Sequence, residues 1–238
     1  MPTEYDNIDL IGTTHEYFKD TVDQKMKRYY HKQEVGSVEK LLAKLNFKNY
    51  DTLIDLGCSI GTWYDDFKKM RFQKIIGIDI SEERANIAKK RGYNKIHICN
   101  AYDLPFDDKS QSCVISNDVL VHVIQDEDIV KILKEVYRVL DNDGVFIFNF
   151  ANSKGLTKKD NKMYYCKFRD TEFFQRIINQ ANFKIEFITS SYFTIPRIGA
   201  YPRFATFSTK IIFPTLDRIF KFFNITTIAK VIYFAVRK

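Results

Sequence analysis

Asp55, Gly57 and Gly61 stand in the run Leu53-Ile54-Asp55-Leu56-Gly57-Cys58-Ser59-Ile60-Gly61-Thr62, and Asp79 closes Ile75-Ile76-Gly77-Ile78-Asp79, 24 positions after Asp55. An apolar strand that runs into a glycine-punctuated turn, followed by a strand ending in an acid, can hold a nucleoside. Glycines let the backbone approach a ligand with no Cβ in between, and the second acid can accept hydrogen bonds from both ribose hydroxyls. The glycine spacing narrows the ligand. A G-x-G-x-x-G dinucleotide fingerprint starting at Gly57 needs glycines where the chain has Ser59 and Thr62. The pattern is D-x-G-x-x-x-G with no phosphate-cradling lysine, so it is not a Walker A loop either.

Alternating elements must position these groups. Residues 14–33 and 38–45 carry apolar residues at helical spacing and precede the first strand, covering one end of the sheet. Strands are expected at 52–56, 74–79, 95–99, 113–116, 145–150, 183–191 and 231–236. Helices are expected at 62–69, from Ser81 as N-cap to Gly92 as stop, at 126–140 and at 170–181. The 126–140 helix has a buried stripe of Ile129, Ile132, Leu133, Val136 and Leu140, and Asn142-Asp143-Gly144 turns the chain into the fifth strand. Such alternation implies a parallel sheet covered on both faces.

With 238 residues, 45% of them hydrophobic, the chain suits one large α/β domain with a modest appendage. No repeat, low-complexity tract, secretory signal or membrane-spanning run is visible. Cys58, Cys99, Cys113 and Cys166 are dispersed, fitting neither a zinc site nor a disulfide framework, and no metal is expected; they point to a reducing cytoplasm. The formal charge of +7 is local. From Phe193 onward eight basic residues face one acid, Asp217, among ten aromatic residues.

The D-x-G-x-x-x-G loop resembles motif I of the class I S-adenosylmethionine-dependent methyltransferases, whose cofactor has no phosphates. Four further fragments follow in order: Asp79, then Asn100-Ala101-Tyr102-Asp103-Leu104-Pro105-Phe106, then residues 114–123 and residues 135–144. The resemblance implies a Rossmann-like seven-stranded sheet of order 3-2-1-4-5-7-6 with the last strand antiparallel beside the fifth. The implied organisation is a helical cap (1–48), a cofactor-binding core (49–192), an insertion (193–229) and a final core strand (230–238). Three departures stand out. Ser59 replaces a common glycine and tightens the loop, Asn100 stands where aspartate is frequent but still accepts from the adenine amine, and Ser112 replaces an aspartate with a structural effect only.

The resemblance assigns Asp55, Gly57, Cys58 (through its backbone), Ser59 and Gly61 to the cofactor loop, Asp79 and Ile80 to the ribose end, Asn100 and Ala101 to adenine, and Asn117 to the methionine part. Helix capping is the plain alternative for Asp79, and a turn for Asn100. His122, past the fourth strand, is the first candidate base because an imidazole titrates near neutrality; its alternative is a hydrogen-bonded histidine starting a helix. Asp118 is the second, with substrate orientation or capping as its alternative. Tyr17, Phe18, Tyr29 and Tyr30 either close over the cofactor or pack on the sheet.

The expected reaction moves a methyl group to a hydroxyl, or to an amine, of a small or lipid-linked acceptor, leaving S-adenosylhomocysteine. Pro214 can start a helix over 210–224 whose apolar face, with Ile212, Leu216, Ile219 and Phe223, lies opposite Lys210, Asp217, Arg218 and Lys221. It reads as an acceptor lid, as a contact with an anionic membrane surface, or as a helix packed on the core. A cytoplasmic protein, peripheral at the membrane if the acceptor is lipid-linked, follows. An RNA methyltransferase and a non-catalytic scaffold of the same fold are the competing functions. Nucleic acid is disfavoured because the basic residues alternate with large aliphatics.

Overall fold

The computed structural model describes residues 22–154, 166–191 and 229–238, together with Thr215 and Ile219. The elements run α1 (Val22–Lys44), β1 (Thr52–Leu56), α2 (Tyr64–Lys69), β2 (Lys74–Asp79), α3 (Glu82–Lys89), β3 (Lys95–Ile98), β4 (Gln111–Ser116), α4 (Asp126–Val139), β5 (Leu140–Ala151), α5 (Thr171–Gln180), β6 (Lys184–Ser190) and β7 (Val231–Arg237).

The strands form one seven-stranded sheet of order β3-β2-β1-β4-β5-β7-β6. β1 pairs parallel with β2 and β4, β2 with β3, and β4 with β5, while β7 runs antiparallel between β5 and β6. This is the Rossmann-like arrangement that the sequence implies. Central strands buried on both faces need near-continuous apolar sequence, and β7, Val-Ile-Tyr-Phe-Ala-Val-Arg, supplies it.

Alternation along each strand splits the core into two layers. Phe146, Phe148 and Phe150 of β5 join Ile232, Phe234 and Val236 of β7 beneath α4 and α5. Val145 and Ile147 join Val231, Tyr233 and Ala235 on the opposite face, where Val38, Leu41 and Leu42 of α1 and Phe67 of α2 pack. By this parity Asn149 falls on the α1 face, completely buried.

Two boundaries differ from the sequence reading by more than two residues. The two N-terminal helices are one, α1 continuing through Gly36 with Ser37 Oγ donating to Gln33 O at 2.9 Å; residues 14–21 lie outside the described residues. β5 starts at Leu140 rather than Val145. The register jumps from Gln111↔Leu140 to Cys113↔Val145, so the expected turn residues form an irregularity within the strand. Ser81 caps α3, its side chain accepting from Arg84 N–H. The 210–224 helix lies outside the described residues apart from Thr215 and Ile219, which are helical. Among the described residues no helix is long and apolar enough to cross a membrane.

Candidate functional site

In an open α/β sheet, ligands bind beyond the C-terminal ends of the strands, where the chain order reverses. Here that place is between β1 and β4. A cavity of about 900 Å³ opens there, and every candidate cofactor-binding or catalytic residue of the sequence reading lines it except Gly61.

The glycine loop owes its shape to backbone that only certain residues accept. Gly57 has φ +79°, and a Cβ there would run into the Val119 side chain. The N–H groups of Gly57 and Cys58 both donate to Ile78 O, at 2.7 and 2.9 Å, which welds the loop to β2. Ser59 takes the left-handed conformation, φ 49°, which glycine adopts at least cost. Its N–H donates to Asp79 Oδ2 at 2.7 Å, and its Oγ accepts from Arg84 Nη1 at 3.2 Å. Gly61 acts behind the cavity wall. Its φ is also +79°, its N–H donates to Cys58 O, and a Cβ would press on Tyr93 and Arg91.

Asp79 ends β2 with each oxygen already accepting one backbone N–H, Oδ2 from Ser59 and Oδ1 from Ser81 at 2.9 Å. A carboxylate oxygen has a second lone pair, so both remain able to meet a ligand. Burial raises its pKa against those bonds. Asp55 is buried beneath the loop, and Tyr93 donates its hydroxyl to Oδ2 at 2.6 Å. Burial pushes the Asp55 carboxyl up to about 7, with the Tyr93 bond opposing and the nearby Asp79 charge adding. Tyr93 was not expected; a tyrosine between α3 and β3 reads as core. Asn100 Oδ1 accepts from Tyr102 N–H at 3.3 Å, the turn geometry that was its alternative, while the residue still lines the cavity. Ile80 and Ala101 give that end an apolar wall.

The other end belongs to the segment after β4. Asp118 has φ 57°, a left-handed conformation in which Asp and Asn are enriched. Asn149 of β5 grips it twice, Oδ1 accepting the Asp118 N–H at 2.6 Å and Nδ2 donating to its Oδ1 at 2.9 Å. Tyr233 of β7 accepts from Asn149 Nδ2 at 3.3 Å and donates to Asn117 Oδ1 at 2.9 Å. Asp118 is itself exposed, at the open cavity, and desolvation by the surrounding protein raises its pKa despite the Asn149 bond and the nearby His122, Lys230 and His31. His122 Nδ1 lies 3.5 Å from Cys166 Sγ.

Arg169, nearly inaccessible, holds this segment. It donates to Leu120 O, Val123 O and Ile124 O and pairs with Asp126. From α1 the cavity receives His31 and Glu34 rather than Tyr29 or Tyr30, which pack elsewhere; Tyr17 and Phe18 lie outside the described residues. His31 Nε2 sits 2.8 Å from Asp66 Oδ2 and edge-on to Trp63, another lining residue. Among the described residues no cluster of three His, Cys, Asp or Glu side chains is arranged to hold a metal.

A protein-family profile described as a methyltransferase domain matches residues 54–148, from the glycine loop through β5. Residues 54–148 thus match a methyltransferase domain, which supports the class I S-adenosylmethionine-dependent reading. An uncharacterised protein of Methanocaldococcus jannaschii is 32% identical over 137 residues, 58% of this chain and 51% of that protein. The carboxy-S-adenosyl-L-methionine synthase of Nautilia profundicola is 31% identical over 122 residues, 48% of this chain and 52% of the synthase. The chain thus spans about half the length of these curated relatives. Among solved structures, the geranyl diphosphate C-methyltransferase of Streptomyces coelicolor, in complex with S-adenosyl-L-homocysteine, superposes with a TM-score of 0.60 at 18% identity, covering 92% of this chain and 83% of that one. That likeness is one of fold.

The cofactor of the methyltransferase domain is S-adenosylmethionine, and the cavity fits it. The loop cradle would be filled by a Cβ at Gly57, Asp79 offers acceptors for hydroxyls, and Ile80 and Ala101 offer an apolar wall.

Proposed function

We propose that this chain transfers a methyl group from S-adenosylmethionine to a hydroxyl or amine of a small or lipid-linked acceptor by in-line displacement. The observation that carries this reading is a single cavity shared by the nucleoside-binding set (Gly57, Asp79, Asn100) and two candidate proton acceptors, Asp118 and His122. When bound, the cofactor supplies a methyl group on a positively charged sulfur, a good neutral leaving group. The protein then has mainly to align the reactants and exclude water. Gly57, Cys58, Ser59, Asp79, Ile80, Asn100 and Ala101 bind and orient the cofactor, with Asp55 and Gly61 shaping the loop from beneath. Asn117 stands at the methionine end, and Asp118 and His122 take the proton that the acceptor loses.

α1, with His31 and Glu34, forms part of the acceptor wall. The Streptomyces relative, whose complex contains geranyl diphosphate, supports a place for prenyl-like acceptors in this fold. A lipid-linked acceptor would bring the basic 210–224 segment to an anionic membrane surface in the cytoplasm. Calorimetric titration with S-adenosylmethionine and S-adenosylhomocysteine tests the reading. Micromolar binding by the wild type, lost in a folded Asp79→Ala variant, is expected. Absence of binding to either ligand by the wild type would refute it.

A further inference from the structure

Resting on that reading, we propose that the acceptor is a protonated amine, and that Asp118, held by Asn149 and Tyr233, binds its ammonium group and takes its proton. The charge of the cavity opposes that of the chain. Among the described residues its wall carries Glu34, Asp79, Asp118 and Asp128 besides Asp55, which keeps its proton up to about 7, and Arg84 is its one lysine or arginine, in a chain of formal charge +7. Arg84 is engaged beside the ribose end, on Ser59 and facing Asp79. A phosphorylated acceptor would bring like charge into this space, whereas an ammonium group would bring the opposite one.

Asp118 is the acid built for that contact. Its Oδ1 and its own N–H are both taken by Asn149, and Oδ2 accepts no hydrogen bond from the described residues. The groups around it are His122 on its own segment, His31 from α1 and Lys230 from the start of β7. The support beneath is costly. Asn149 and Tyr233 are completely inaccessible, on a sheet face otherwise made by Val145, Ile147, Val231 and Ala235. Buried amide and hydroxyl groups on such a face are tolerated only when bonded, and a satisfied network fixes one geometry. Asn149 and Tyr233 are therefore positioning residues, and what they position is the Asp118 carboxylate.

The proton and electron balance is simple. The acceptor R–NH₃⁺ gives a proton to the Asp118 carboxylate, leaving R–NH₂ with a free electron pair. The nitrogen forms its bond to the methyl carbon as the carbon–sulfur bond breaks, and that bonding pair stays on sulfur. The product leaves as a protonated methylamine, and Asp118 returns its proton to solvent.

Sinefungin, the cofactor analogue with a protonated amine in place of the methylated sulfur, probes this charge preference without an acceptor. Calorimetry on the whole chain should give sinefungin roughly tenfold tighter binding than S-adenosylhomocysteine, the size of one charge-assisted hydrogen bond. The preference should shrink to about twofold or less in Asp118→Asn, and partly in Tyr233→Phe, which removes one hydroxyl from the support and keeps the ring. A second arm follows radiolabelled methyl transfer to phenethylamine, 2-phenylethanol and phenethyl phosphate; label in the amine is the expected result. Equal affinity for the two analogues in the wild type, a preference that Asp118→Asn leaves intact, or label in the alcohol or phosphate ester instead of the amine overturns the proposal. Failure of both analogues to bind the wild type would refute the cofactor reading itself.

Discussion

The buried Asp55 makes folding stability depend on pH in the direction opposite to that of a salt-bridged acid. In the unfolded chain its carboxyl loses its proton near the ordinary value of 3.8, but in the fold it keeps the proton up to about 7. Between those values the folded state binds more protons than the unfolded one, so stability falls as pH rises through the window. At about 1.4 kcal/mol per pH unit, the span amounts to roughly 4 kcal/mol between pH 4 and pH 8. Asp118 and Asp79 are raised too, so the wild type alone does not isolate Asp55.

The Asp55→Asn variant does. An asparagine keeps the shape and still accepts the Tyr93 hydroxyl, but it cannot ionise. Urea denaturation of both proteins across the window should show the stability difference moving in favour of the variant by several kcal/mol toward high pH. Because the Tyr93 bond lowers the carboxyl's pKa, Tyr93→Phe should shift the wild-type midpoint further up. A difference between wild type and Asp55→Asn that stays constant from acid to mildly alkaline pH would refute the reasoning, since Asp55 would then titrate in the fold as it does in the unfolded chain.

Gly57→Ala places a Cβ on a residue with φ +79° and drives it into Val119; the backbone conformation alone costs about 1–2 kcal/mol. Calorimetry should show cofactor affinity falling alongside the melting temperature. Arg169→Met removes the donor shared by the Leu120, Val123 and Ile124 carbonyls and leaves Asp126 with Lys167. Since Asp126 is partly exposed, the loss should sit near the lower end of the range for breaking a buried pair, about 3 kcal/mol. Hydrogen exchange at Val121–Ile124 should quicken most.

The fold was legible where local chemistry and global packing agree. A strand such as β7 is a nearly continuous run of β-branched and aromatic residues, and α3 announces itself with Ser81 at its start. Disagreement arose where local chemistry points two ways. Asn142-Asp143-Gly144 carries a turn signal, and the chain does deviate there, but pairing of Leu140 with Gln111 carries β5 across it. Gly36 weakens the helical pattern, yet contacts of Val38, Leu41 and Leu42 with the sheet hold α1 continuous.

The site divides along a similar line. Asp55, Gly57 and Asp79 were legible because a glycine loop against a second strand constrains residue type at fixed spacing. Tyr93, Tyr233 and Arg169 were not, because each acts across the fold. Tyr233 is 116 positions from the Asn117 it bonds, and Arg169 lies 49 positions from Leu120. A tyrosine within Val-Ile-Tyr-Phe-Ala-Val has the same pattern whether its hydroxyl is bonded or lost in the core. Asn149 did leave a trace, as the one amide in Val-Phe-Ile-Phe-Asn-Phe. A buried amide costs free energy unless its bonds are met, so a strand of this composition retains one only where a partner waits. The sheet supplies the partners by register, since Asn149 pairs with Tyr233 across β5 and β7, next to the Asp118 segment. That pairing fixes the acid at the cavity, and it depends on an antiparallel last strand that no spacing within β5 reveals.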